Sequence, residues 1–250
     1  MGAMARPLPL PGRRVETGRY MRATTVAILL LLGLAGASEA HELWVEEASG
    51  ESVLRYGHGP ESAEGPERLA YGVGQVEGLW CREPGGGFVE RPLPERVPVR
   101  LPIAACAGIR VDLSTGHWVR TPRGVRAASD AEGGVMDAWY VRGSLTRLRG
   151  QGEVGAATGV GLELVPLEGK RMVGRKWPLR VVLNGEPLAG IEVRHDGRLV
   201  GTTDENGRIN VRLRSAGRHR FEASHSVPFP GPEAHRTLHH AILSLPAEAE

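Results

Sequence analysis

The chain has 250 residues, a formal net charge of +2, 41% hydrophobic and 24% charged residues, proportions ordinary for a globular protein. So small a charge gives no electrostatic basis for nucleic acid or an anionic membrane as partner. Thirty-five Gly and 18 Pro favour many short strands and turns over long helices.

Residues 1–40 read as an N-terminal extension and a secretory signal peptide. Val26–Ala35 is a long apolar run with Arg22 before it and Ser38 and Ala40 at the −3 and −1 positions of a cleavage site. The run is shorter than the roughly 20 residues of a membrane span. Met21 offers a second start, Arg13-Arg14 lacks the surroundings of a twin-arginine signal, and no cysteine at the junction marks a lipoprotein. The expected location is periplasmic or secreted, with no span after signal removal. In that oxidising compartment Cys81 and Cys106 are expected to pair, with two free thiols as the alternative.

From the junction onward the pattern is strands and turns. His41–Glu46 and Ser52–Tyr56 are strands joined by Ala48-Ser49-Gly50, and Tyr56-Gly57-His58-Gly59-Pro60 breaks the second. Glu61–Arg68 is polar and loop-like. Val76–Cys81, Phe88–Glu90 and Val97–Leu101 follow, then Ile109–Leu113 and His117–Thr121 as a hairpin turning at Ser114-Thr115-Gly116, then Asp137–Val141. Gly150–Gly161 is a small-residue connection. Beyond it come Leu179–Leu183, the turn Asn184–Gly190, Ile191–His195, the tight turn Asp196-Gly197, Arg198–Thr203, Arg208–Leu213, Gly217–Ala223 and Thr237–Leu245. The expectation is an all-β protein of two Ig-like β-sandwich domains, 41–150 and 179–250, with 151–178 as linker and connecting strand.

The histidines carry the chemistry. If a peptidase cuts after Ala40, His41 offers an α-amine and an imidazole from one residue, a chelate for a divalent transition metal; a nitrogen-rich site suits Ni²⁺, Cu²⁺, Co²⁺ and Zn²⁺, with raw affinity favouring copper over nickel and cobalt. His58 is the expected second ligand, because its strand can pair with the strand that begins at His41. A second group, His225, His235, His239 and His240, surrounds a proline-rich loop; His235 and His239 share a strand face, read as solvent-facing, and His240 points the other way. His117, His195 and His219 sit among charged neighbours and are expected at the surface. No GxSxG, HExxH, P-loop or dinucleotide fingerprint occurs, so no enzyme is expected.

Two resemblances follow from these residues. Gly185-Glu186-Pro187-Leu188-Ala189-Gly190 with Gly201-Thr202-Thr203-Asp204-Glu205-Asn206-Gly207-Arg208 resembles the immunoglobulin-like and carboxypeptidase-regulatory, transthyretin-like modules, which implies a fold and little about function. Ala40-His41-Glu42-Leu43-Trp44-Val45-Glu46, Tyr56-Gly57-His58-Gly59 and Gly116–Gly124 resemble, in that order, a family of exported β-proteins described as periplasmic accessory components of nickel or cobalt uptake. The resemblance implies a non-catalytic metal-binding role beside an inner-membrane metal transporter complex, and carries over to His41 and His58 alone. A copper oxygenase with a histidine brace and a structural or adhesive β-sandwich without metal are the alternatives.

Overall fold

The computed structural model describes residues 41–48, 51–59, 65–102, 105–150 and 155–249; the apolar run and the signal peptide expected up to Ala40 lie outside them. Among the described residues, helical geometry is limited to 3₁₀ turns at Val73–Gln75 and Ala128–Asp130 and at Ala105, and no helix is long and apolar enough to cross a membrane. The protein is all-β, as its short alternating segments require.

The first half supplies β1 (Glu42–Ala48), β2 (Glu51–His58), β3 (Glu67–Arg68), β4 (Val76–Arg82), β5 (Phe88–Glu90), β6 (Gly108–Thr121), β7 (Gly124–Ala127) and β8 (Asp137–Leu148). The second supplies β9 (Leu162–Pro166), β10 (Lys176–Leu183), β11 (Glu186–Pro187), β12 (Glu192–His195), β13 (Arg198–Thr202), β14 (Arg208–Arg212), β15 (Gly217–Pro228) and β16 (Arg236–Ala247). They form a three-stranded sheet, β1-β2-β3, and a four-stranded sheet of β11, β10 and β14 with β9 on β10. A nine-stranded sheet in the order β13-β12-β15-β16-β8-β6-β4-β5, with β7 on β6, runs through both halves.

The seam is a parallel pairing of β8 with β16, from Trp139 opposite Arg236 to Arg147 opposite Ser244. Because side chains alternate along a strand, the shared sheet offers a different core on each face. On β16, Ile242 packs into the first core with Leu54, Val111, Leu113 and Leu145. Its neighbours Ala241 and Leu243 pack into the second with Trp177, Leu179, Phe221 and Leu245. The halves expected as separate sandwiches therefore share one sheet, with a smaller sheet contributing to each core. Strand pairing between positions about 100 residues apart leaves no local pattern from which to read it.

Three local features bear on the site. The hairpin expected at Ser114-Thr115-Gly116 is instead an unbroken strand of 14 residues, β6. A β-bulge absorbs the glycine, with Ser114 opposite Arg142 and Gly116, at φ +83°, opposite Val141. Val97–Leu101 makes only an isolated bridge from Arg100 to Val53, because the Tyr71 hydroxyl stands between the strands, accepting the Val99 N–H at 3.0 Å and donating to the Leu54 carbonyl at 2.9 Å. Cys81 and Cys106 are joined in a disulfide, their Cα atoms 5.5 Å apart.

A buried charge network also crosses between the halves. Arg110, 1% exposed, donates from Nε and Nη2 to the two Asp112 carboxylate oxygens at 2.9 and 3.0 Å and from Nη2 to the Val160 carbonyl at 2.6 Å. Its Nη1 lies 2.7 Å from Glu163 Oε2 on β9 as a charge contact rather than an aligned hydrogen bond. Glu163 in turn accepts the backbone N–H groups of Thr158 and Gly159.

Candidate metal centre

β1 and β2 are antiparallel with Glu42 opposite Gly57, a register that places His41 opposite His58. β2 and β3 pair with His58 opposite Glu67. Directly opposed residues on antiparallel strands project from the same face, so His41, His58 and Glu67 form a row across three strands. Their rings and carboxylate meet accordingly. The two imidazole centroids are 5.0 Å apart, His58 Nδ1 is 3.3 Å from Glu67 Oε2, and one ligand atom from each of the three lies within 4.8 Å of the others.

Aromatic groups hold the row from one side. Tyr56, two residues before His58 on the same face, brings its hydroxyl to 3.4 Å from His41 Nδ1. Burial raises the Tyr56 phenol above its ordinary range, with a hydrogen bond to Thr115 acting the other way. Thr115 is the extra residue of the β6 bulge; it accepts the Trp118 indole N–H at 3.1 Å, and the Trp118 ring lies 5.5 Å from that of His41. The bulge thus turns Thr115 and Trp118 toward the row, as bulges beside sites commonly do. On the other side the site is open: the His58 side chain is 12% exposed and that of Glu67 56%.

Gly57 makes the third strand possible. At φ +132°, it lets the backbone of β3 approach so closely that a Cβ there would collide with the Glu67 carbonyl oxygen. Beside the row, Glu42 forms an ion pair with Arg220 of β15, which ties β1 to the second half.

Two imidazoles and one carboxylate are a donor set for a borderline divalent ion such as Zn²⁺, Ni²⁺, Co²⁺ or Cu²⁺. His41 and His58, the pair singled out in the sequence, are brought together. Glu67 was missed because its segment is polar and patternless; only its pairing with His58 reveals it. In the sequence Tyr56 reads as a strand end; in the structure it is a contact of His41.

Four of the other histidines depart from expectation. His195 and His219, expected at the surface, are 8% and 2% exposed. His239, expected to face solvent, is 7% exposed, and burial, ahead of the charges of Arg142 and His225, pushes it down to about 4. His117 is half-buried against Tyr140 and Phe229, at centroid distances of 4.9 and 5.5 Å. In each case alternate residues on the strand, not the charged neighbours in sequence, decide the side: Val193 and His195 point inward while Glu192 and Arg194 point out. His235 is exposed beside Asp137 at 3.0 Å, and His240 stands 3.5 Å from Glu222.

The family described as Domain of unknown function (DUF4198) matches residues 38–227, and the chain belongs to it. No curated protein and no solved structure matches.

Proposed function

We propose that this member of the DUF4198 family is an exported accessory protein that holds a divalent transition metal outside the inner membrane and passes it to a metal transporter, with nickel or cobalt as cargo. The observation that carries the reading is the row of His41, His58 and Glu67, three donors from three adjacent strands converging within 4.8 Å. Cleavage after Ala40 adds the α-amine of His41, giving a chelate from one residue and a nitrogen-rich set of four donors. That amine has an ordinary pKa of about 8, so the ion displaces a proton from it and affinity rises with pH.

Nitrogen-rich sites bind copper more tightly than nickel or cobalt; the choice of nickel and cobalt rests on the resemblance of the Ala40–Glu46, Tyr56–Gly59 and Gly116–Gly124 segments to periplasmic uptake components. An accessory role also suits the open side of the site. A cargo ion must leave again, and a row at the edge of a small sheet can be reached by a partner. The second half, on this reading, is an Ig-like platform that braces β1 through Arg220.

The test is the mature protein, exported with no N-terminal tag so that the amine stays free. Mass spectrometry should find His41 first. Calorimetric titration with Ni²⁺ should give one equivalent at the row, and His58→Ala should weaken it by at least about 100-fold, the scale that loss of an outer contact alone already approaches. Undiminished affinity in His58→Ala removes His58 from the site and the proposal with it.

A further inference from the structure

A second convergence of metal-binding groups lies in the second half of the chain. The tight turn Asp196-Gly197 between β12 and β13 has both residues at positive φ, +48° and +74°, which sets the Asp196 side chain back over the strands. His195 precedes it on β12, and His219 stands nearby on β15. Three atoms meet there: His195 Nε2 and His219 Nδ1 are 2.9 Å apart, and Asp196 Oδ2 is 3.1 Å from the first and 3.3 Å from the second.

We propose that His195, Asp196 and His219 form a second divalent transition-metal site, binding one ion facially through two imidazole nitrogens and one carboxylate oxygen. The triangle has the right size. An ion about 2.1 Å from each donor spaces them about 3.0 Å apart with right-angled bonds and about 3.4 Å apart with tetrahedral ones. The observed sides, 2.9, 3.1 and 3.3 Å, lie within about 0.1 Å of that range.

Proton counting points the same way. His219 Nε2 lies 2.9 Å from the Ser215 carbonyl oxygen, which can only accept, so Nε2 carries the proton and Nδ1 of the neutral ring presents a lone pair. A proton on His195 Nε2 can then serve either His219 Nδ1 or Asp196 Oδ2, leaving the other facing an acceptor. One cation satisfies all three lone pairs at once; one proton satisfies two.

The surroundings are built as ligand supports are. Ser215 fixes the His219 ring through the nitrogen away from the site, and the Arg220 N–H donates to the other Asp196 oxygen at 2.9 Å. Phe221 stacks on His195, with centroids 4.5 Å apart and planes at 14°. Such outer contacts orient metal ligands in known sites. Arg198, Arg212 and Arg214 line the same cleft and oppose a cation, so this site is the weaker of the two. Asp196 is 46% exposed, which leaves the remaining coordination positions to water.

The experiment is a titration of the tag-free mature protein with Co²⁺ alone, read by calorimetry and by the visible absorption of bound cobalt. Wild type should take two equivalents and His58→Ala one. Adding Asp196→Asn to His58→Ala should weaken the remaining equivalent at least tenfold and change its spectrum. Asparagine keeps the positive φ and the acceptor for the Arg220 N–H, so this variant folds where truncation of the buried His219 would not be a clean test. If the row at His41 binds nothing, wild type still takes one equivalent, untouched by His58→Ala and lost in Asp196→Asn. Failure of His58→Ala to bind any ion, or identical binding after Asp196→Asn is added, overturns the assignment.

Discussion

Replacing His239 by glutamine should abolish a loss of stability on acidification, and replacing Asp112 by asparagine should abolish a gain over nearly the same pH range. Both side chains line one small cavity with Glu77, Arg110 and Arg142. His239 has its titration pushed from 6.5 down to about 4, first by burial and then by the Arg142 and His225 charges, against the Glu77 carboxylate. Between those values the unfolded chain takes up a proton that the folded protein refuses, so stability falls as pH falls. At about 1.4 kcal/mol for each tenfold change in proton affinity, the loss is roughly 3 kcal/mol. Asp112 acts in the opposite sense. Burial raises its carboxyl from 3.8 to about 6 despite the Arg110 charge, so in that window the folded protein holds the extra proton and stability rises as pH falls, again by roughly 3 kcal/mol.

In the wild type the two effects oppose each other and nearly cancel; in the single variants they separate. Urea unfolding followed by tryptophan fluorescence at pH 7 and pH 4 gives each stability. Relative to wild type, His239→Gln should gain roughly 3 kcal/mol on going from pH 7 to pH 4, and Asp112→Asn should lose about as much. The double variant should track the wild type. Single variants that keep a constant offset from wild type across that range would refute the burial of both groups as the source of the shifts.

Gly57→Ala should displace β3 and carry Glu67 away from the histidine row, costing about 1–3 kcal/mol of stability and lowering metal affinity at the row roughly tenfold; affinity equal to wild type in a Ni²⁺ titration would show that Glu67 does not ligate. Opening the Cys81–Cys106 disulfide, which spans a sequence separation of 25, should cost roughly 3.5 kcal/mol by loop-closure entropy. A Cys81→Ser/Cys106→Ser variant whose urea stability falls by less than 1 kcal/mol would refute that figure.

What the sequence discloses is local. The turn at Asp196-Gly197 and the strands flanking it follow from alternation and from residues that tolerate positive φ, and the pairing that opposes His41 to His58 follows from a short connection between two strands. What it hides is long-range. Nothing near Trp139 or Arg236 signals that β8 and β16 run side by side, and Glu67 sits in a short polar segment whose pairing with His58 has no periodic signature. His195 and His219 were misplaced for a different reason. Arg194 beside His195 and Arg220 beside His219 project to the opposite face, whereas the residues two positions away, Val193 and Phe221, are fully buried. The alternation that marks a strand also assigns each histidine its side, and charge of the immediate neighbours is the wrong guide.

The position of His41 and its valence have separate origins. Its side chain is placed by the register of β1 on β2, by the Tyr56 hydroxyl and by the Trp118 ring, and Glu42 is held to Arg220 one residue later. On the function proposed above, cutting after Ala40 changes what the main-chain nitrogen of His41 offers: as an amide it carries a proton it does not readily give up, and as an amine it can bind an ion at neutral pH. On the function proposed above, the uncut precursor has two imidazoles and a carboxylate, and the exported protein adds the five-atom reach from amine to ring. The same fold then holds its ion weakly before cleavage and tightly after it, so that the affinity needed outside the inner membrane is assembled only there.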